Sequence, residues 1–133
     1  MKTKPALELA DVKSIAAAAE AEALKHNWAV SIAIVDDGGH LLSLIRGDGA
    51  PPVSAEIAEM KAHSAAVARR STKVSEDRIA SRPALVKMPV LPVQGGVPIL
   101  HEGQCVGGIG VSGVASHEDE QVANAGLAAL GAK

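Results

Sequence analysis

Trp28-Ala-Val-Ser-Ile-Ala-Ile-Val-Asp-Asp-Gly-Gly-His-Leu-Leu-Ser-Leu-Ile-Arg46 decides the fold class. Residues 28–36 are β-branched and almost wholly apolar, Asp37-Gly38-Gly39 supplies the positive φ angles of a tight turn, and His40–Arg46 is a second apolar run, so the stretch reads as a β-hairpin. Neither run alternates apolar with polar. That predicts strands buried on two faces, and therefore helices on both sides of the sheet.

Upstream, Val12, Ile15, Ala16, Ala19 and Ala23 follow a 3.6-residue period, which predicts a helix from Leu9 to His26 with Asn27 as its left-handed cap. Downstream, Gly47-Asp-Gly-Ala-Pro-Pro52 breaks the strand, and Ser54 caps a second helix running to about Arg70, with Glu56 favourably placed near its N-terminal dipole. From Ser71 to Gln94 the charges and Pro83, Pro89 and Pro92 predict one short helical turn followed by irregular covering chain. Gly95–His101 and Gln104–Ser112 read as a second hairpin turning at Glu102-Gly103, and Gly107, Gly108 and Gly110 inside its last strand imply that something packs closely there. Ser116-His-Glu-Asp119 matches a capping box, opening a helix that stops at Gly131. The order predicts one α/β (α+β) domain over residues 1–133, with an antiparallel sheet of roughly five strands and helices on either side.

A chain of 133 residues with 47% hydrophobic and 21% charged residues suits a single globular core. Its net charge of -2, with bases scattered among acids, shows no footprint for nucleic acid, and Trp28, the sole Phe/Tyr/Trp residue, offers no stacking platform. The lone Cys105 sits in an apolar run and reads as a small buried hydrophobe. No run approaches the roughly 20 apolar residues of a membrane span, and the N-terminal stretch carries too many acids for a signal peptide, so a cytoplasmic protein is expected. Gly107-Gly-Ile-Gly-Val-Ser112 lacks the Gly-Lys-Ser/Thr of a P-loop, so no nucleotide cofactor is expected.

Glu56, Glu59 and His63 lie at i, i+3 and i+7 of the second helix, which puts two carboxylates and an imidazole on one face, a donor set suited to iron, manganese or zinc. The plainer alternative is a solvated helix face. Lys61 lies on another side of that helix and is a candidate, with Arg46 and Asp48, for holding a carboxylate ligand; the alternative is an ion pair fixing the Arg46-Gly-Asp48 turn. Asp36 and His40 flank the Gly-Gly turn as a candidate base and orienting carboxylate, against the alternative of turn chemistry alone. His26, His101 and His117 are explained by a helix end, a hairpin flank and a first helical turn.

Val35-Asp-Asp-Gly-Gly-His-Leu-Leu42, Arg46-Gly-Asp-Gly-Ala50, Ser54-Ala-Glu-Ile-Ala-Glu-Met-Lys-Ala62, Gly95-Gly-Val-Pro-Ile99 and Val106-Gly-Gly-Ile-Gly-Val-Ser-Gly113, with Asp119-Glu120 and Ala123, closely resemble the GlcG/HbpS family, in order and across nearly the whole chain. The resemblance implies a profilin-like three-layer domain assembling as a dimer or larger homo-oligomer. It also implies a ligand role, since members include haem-binding sensor-associated proteins, the haem-binding C-terminal domain of PduO-type adenosyltransferases, and small proteins encoded beside glycolate, diol or aromatic catabolic enzymes. In the secreted haem-binding members an E-x-x-E pair is associated with iron, and Glu56-Ile-Ala-Glu59 looks like an equivalent pair. The family usually has Met where Gly47 stands and Thr where His63 stands, so His63 adds an imidazole beside the expected pocket.

The expectation is therefore a homo-oligomer that binds haem, iron or another divalent metal, or a related small ligand, at Arg46, Asp48, Lys61 and His63, with Glu56, Glu59 and His63 as metal ligands, accessory to a catabolic operon. The rival expectation is an isomerase- or tautomerase-like enzyme for a small carboxylate intermediate, with Lys61 or Arg46 binding the carboxylate and His63 or Asp36 moving the proton.

Overall fold

The computed structural model describes residues 1–131. Helix α1 (Leu9–Lys25) leads to β1 (Ser31–Asp36) and β2 (Leu41–Arg46); α2 (Pro52–Ala68), α3 (Thr72–Ser81) and a 3-10 turn (Pro83–Lys87) follow; β3 (Gly96–His101), β4 (Gln104–Ser112) and α4 (Ser116–Ala128) complete the chain. The strands form one antiparallel sheet in the order β2-β1-β4-β3. Four strands stand where roughly five were expected. Residues 88–95 do not form the extra one, because Pro89 and Pro92 lack the N–H a ladder needs.

Strand β1 sorts its side chains by parity. Ile32 and Ile34 enter a core with Val12, Ile15 and Ala19 of α1 and Val122 and Ala123 of α4, while Ala33 and Val35 meet Ala58, Ala62 and Ala66 of α2. Helices therefore cover both faces of the sheet, as expected. On the α2 side the layer is built from small residues. A Cβ on Gly110 would collide with the Ala58 carbonyl oxygen and the Ala62 nitrogen, and one on Gly108 with the Ala62 carbonyl oxygen, so the glycines of β4 let the α2 backbone rest directly on the strand.

Two local expectations hold. Asn27 closes α1 in the left-handed region at φ 57°, and the second hairpin turns through Glu102 (φ 50°) and Gly103 (φ 80°).

Others are corrected. β2 is an edge strand rather than one buried on both faces: Leu41, Leu42, Leu44 and Ile45 are 37–46% exposed. Leu44 lies opposite Ala33 and Leu41 opposite Val35, so both stand on the α2 side of the sheet, with a bulge between the pairs. Helix α2 starts at Pro52, whose fixed φ suits a first turn, and is capped by Pro51 rather than Ser54. The buried Ser54 hydroxyl instead donates to the Pro51 carbonyl (2.6 Å) and pairs with the Ser31 hydroxyl (2.8 Å), fastening the start of α2 to the start of β1. The charged segment after α2 is a full ten-residue helix, α3, in which Lys73 bridges Glu76 (3.3 Å) and Asp77 (2.9 Å). Charges that suggested a loop are (i, i+3) and (i, i+4) partners on a helix. At α4 the Glu118 carboxylate reaches back to the Ala115 N–H (3.2 Å), which frees Asp119 for a different role. Among the described residues no helix is long and apolar enough to cross a membrane.

Candidate functional site: a groove over the second helix

Because α2 lies flat on the sheet and runs alongside β1, its outward residues face the turn of the first hairpin at one end and the 88–91 segment at its flank. Between them is a groove of about 620 Å³, lined by Glu56, Glu59, Met60 and His63 of α2, by Gly39, and by Met88, Val90 and Leu91. Its far wall is tethered: the Leu91 N–H donates to the Ser64 hydroxyl of α2 at 2.8 Å.

His63 is the fixed point of the groove. Its Nδ1 lies 3.0 Å from the Gly39 carbonyl oxygen. A carbonyl only accepts, so Nδ1 carries the hydrogen, and of the two neutral tautomers this bond selects the one with its lone pair on Nε2. This is the arrangement by which a backbone carbonyl fixes the tautomer of a metal-binding histidine. Gly39 is needed twice over: it holds φ 84° in the turn, and a Cβ there would strike the His63 ring.

Glu56 and Glu59 line the same groove as His63, so this predicted set is brought to one surface. Among the described residues, however, no three His, Cys, Asp or Glu side chains stand close enough to hold a metal ion as they are.

Lys61 is elsewhere. It is 2% exposed and passes beside Gly95, where a Cβ would lie 2.7 Å from its Nζ, to donate to the Val111 carbonyl (2.9 Å) and the Asp119 carboxylate (3.0 Å). Burial pushes the Asp119 carboxyl above its ordinary range, and the Lys61 ammonium opposes the rise. The second Asp119 oxygen accepts from the Val114 N–H at 3.2 Å. Sequence reasoning missed this pair by assigning Asp119 to a cap. Its position three and four residues before the buried Val122 and Ala123 was the available signal, since that spacing puts it on the inward face.

Arg46 and Asp48 do not join His63. Arg46 is exposed at the end of β2 remote from Gly39, and seven extended residues separate the two by roughly 20 Å. Asp48 lines a separate hollow of about 170 Å³ with Glu20 and Trp28. Asp36 serves the turn: one carboxylate oxygen accepts the N–H groups of Gly38 and His40, each at 2.9 Å. The neighbouring Asp37, not singled out in the sequence, binds Lys4 (2.7 Å) and sits 3.7 Å from Arg69, and these cations, Lys4 foremost, hold its carboxyl below the usual range.

Protein GlcG of Escherichia coli K12 is 47% identical over 114 residues, covering 84% of this chain and 85% of that protein. A crystal structure of HbpS from Streptomyces reticuli, in a form with two glutamates three residues apart replaced by aspartate, superposes with a TM-score of 0.90 at 37% identity, covering 98% of this chain and 90% of that one. A PduOC:haem complex superposes with a TM-score of 0.88 at 26% identity, covering 97% and 98%. The family described as haem degrading protein HbpS-like matches residues 7–128. By this match and these relatives, the chain belongs to the HbpS-like family.

Proposed function

We propose that the groove over α2 binds haem, with the His63 Nε2 as the iron ligand, and that the protein acts as a haem-binding accessory to a catabolic pathway on a profilin-like scaffold. The observation that carries this reading is the Gly39 carbonyl fixing His63 Nδ1, which leaves Nε2 as a lone-pair donor in a groove of about 620 Å³. The residues present fit such a group. A space of about 620 Å³ lies within the range of ligand sites of ~300–1,000 Å³, and Met60, Met88, Val90 and Leu91 offer the apolar wall that a chain without Phe or Tyr must use. Bound haem would supply redox chemistry and small-ligand binding at iron. The chain's own part is to hold one imidazole in one tautomer and to cover the macrocycle from the 88–91 side. The PduOC relative in complex with haem supports this reading.

Glu56 and Glu59 share the spacing of the two glutamates replaced in the HbpS relative, and we assign them to an iron or divalent cation taken at the groove's edge, with water completing the shell. The isomerase reading needs a cation beside His63. Lys61 is committed to Asp119, and Arg46 lies at the other end of β2.

Hemin titrated into the protein is expected to give a saturable Soret shift, and His63→Ala to weaken binding at least tenfold and alter the band. Identical spectra and affinity for the two proteins would remove His63 as ligand. No saturable shift in either would remove haem.

The exposed Leu41, Leu42, Leu44 and Ile45 of β2 support a homo-oligomer that covers this edge. No Lys, Pro or inward charge protects residues 41–45, and a two-fold axis is the simplest closed way to pair a bare antiparallel edge.

A further inference from the structure

Haem carries two carboxylate arms, and the groove has nothing to receive them: its lining includes Glu56 and Glu59 and no Lys or Arg. Behind Met88 and Val90, which line both spaces, is a second hollow of about 130 Å³. Its polar lining is Arg70, just past the end of α2, with Ser75 and Arg78, one turn apart on α3. Neither guanidinium has a carboxylate partner among the described residues. Arg70 uses only its Nε, donating to the Ala68 carbonyl at 3.3 Å, and the acids beside Arg78 in sequence, Glu76 and Asp77, are both taken by Lys73. Two like charges converging on one hollow without a counter-ion repel each other, and an anion between them removes that cost.

We infer that Arg70, Arg78 and the Ser75 hydroxyl form a carboxylate subsite that takes the acidic arm of the ligand whose body lies in the groove. The inference rests on the groove reading for the identity of that body, and on the arginine pair alone for the chemistry of the arm. Arg70 and Arg78 present planar forks matched to a carboxylate, and Ser75 adds a single O–H donor. Met88 and Val90 form the wall over which the arm crosses from one space to the other.

Hemin and hemin dimethyl ester, in which methyl esters replace the charged carboxylates of the arms, are titrated into wild type and Arg70→Gln/Arg78→Gln; glutarate is titrated into both proteins with thermal unfolding as the readout. Wild type is expected to bind the free acid at least roughly tenfold more tightly than the ester, and the double variant to bind both alike, since the ester cannot accept the charge-assisted hydrogen bonds of the two guanidinium forks. Arg78→Lys should keep part of the preference, restoring charge without the fork. Equal affinity of wild type for acid and ester overturns the subsite and leaves the groove reading intact. If neither porphyrin binds, the groove reading fails and glutarate decides the arginine site: a rise in Tm in wild type that is absent in the double variant upholds it, and no rise in wild type overturns it.

Discussion

Replacing Lys61 by Met should be among the most damaging single changes available in this chain, and its cost should depend on pH. The Lys61 and Asp119 side chains are 2% and 3% exposed and 3.0 Å apart, so removing the ammonium leaves a buried carboxylate with only the Val114 N–H as donor. Breaking a buried pair in this way costs about 3–5 kcal/mol. With roughly 2.1 cal/mol/K of unfolding entropy per residue, a chain of 133 residues has a slope near 0.28 kcal/mol/K, so 4 kcal/mol corresponds to a Tm lowered by about 14 °C. Asp119 already has a raised folded-state pKa, because burial outweighs the pull of Lys61. A raised carboxyl pKa contributes stability that is full below the ordinary value of 3.8 and is lost as pH rises through the folded value. Without Lys61 that folded value climbs further, so the deficit of Lys61→Met against wild type should widen from pH 5 to pH 8. Thermal unfolding followed by circular dichroism across that range measures it. Lys61→Met/Asp119→Asn, which keeps an acceptor for Val114 and removes the charge, should recover at least half of the loss at pH 8. A Tm drop under about 4 °C, or a double variant no better than Lys61→Met, would refute the argument that the pair is held by mutual neutralisation in a dry site.

Gly110→Ala should lower stability by about 3 kcal/mol, the upper end of overpacking costs, because the atoms in the way are α2 backbone that cannot rotate aside; denaturant midpoints would show it, and a change under 1 kcal/mol would contradict the close packing. Asp37→Asn should destabilise at neutral pH and converge with wild type on acidification. A carboxyl held below its ordinary pKa of 3.8 gives stability present above that value and lost as pH falls through the folded value, so wild type should show the steeper acid limb in Tm against pH. Leu44→Lys should leave the monomer folded, since the side chain is 37% exposed, and shift the species seen by light scattering to lower mass; an unchanged mass would free β2 of any role in assembly.

Most of the fold was legible because its signals are local. Asp37-Gly-Gly and Glu102-Gly103 each force a chain reversal by backbone conformation alone, and the alanine period of α1 requires only a helical spacing. The errors arose where the deciding partner is remote. Leu41–Ile45 are apolar enough for a central strand, and only the strand order, with nothing paired beyond β2, reveals an edge. Glu56, Glu59 and His63 came together because helix geometry alone relates them. Lys61 was misassigned because its partner is 58 residues away on another layer. Arg46 and Asp48 were grouped with His63, but they lie where α2 begins, and the run of α2 from Pro52 carries His63 back along the sheet to the hairpin turn at Gly39.

The glycines of β4 carry a consequence beyond packing. They set the height of α2 above the sheet, and that height determines whether the His63 ring can reach the carbonyl of Gly39. A methyl group at position 108 or 110 would act as a shim under the helix, lifting the imidazole from its anchor and letting its proton choose either nitrogen. The nitrogen that His63 turns to this groove is thus chosen, from beneath, by residues that have no side chain.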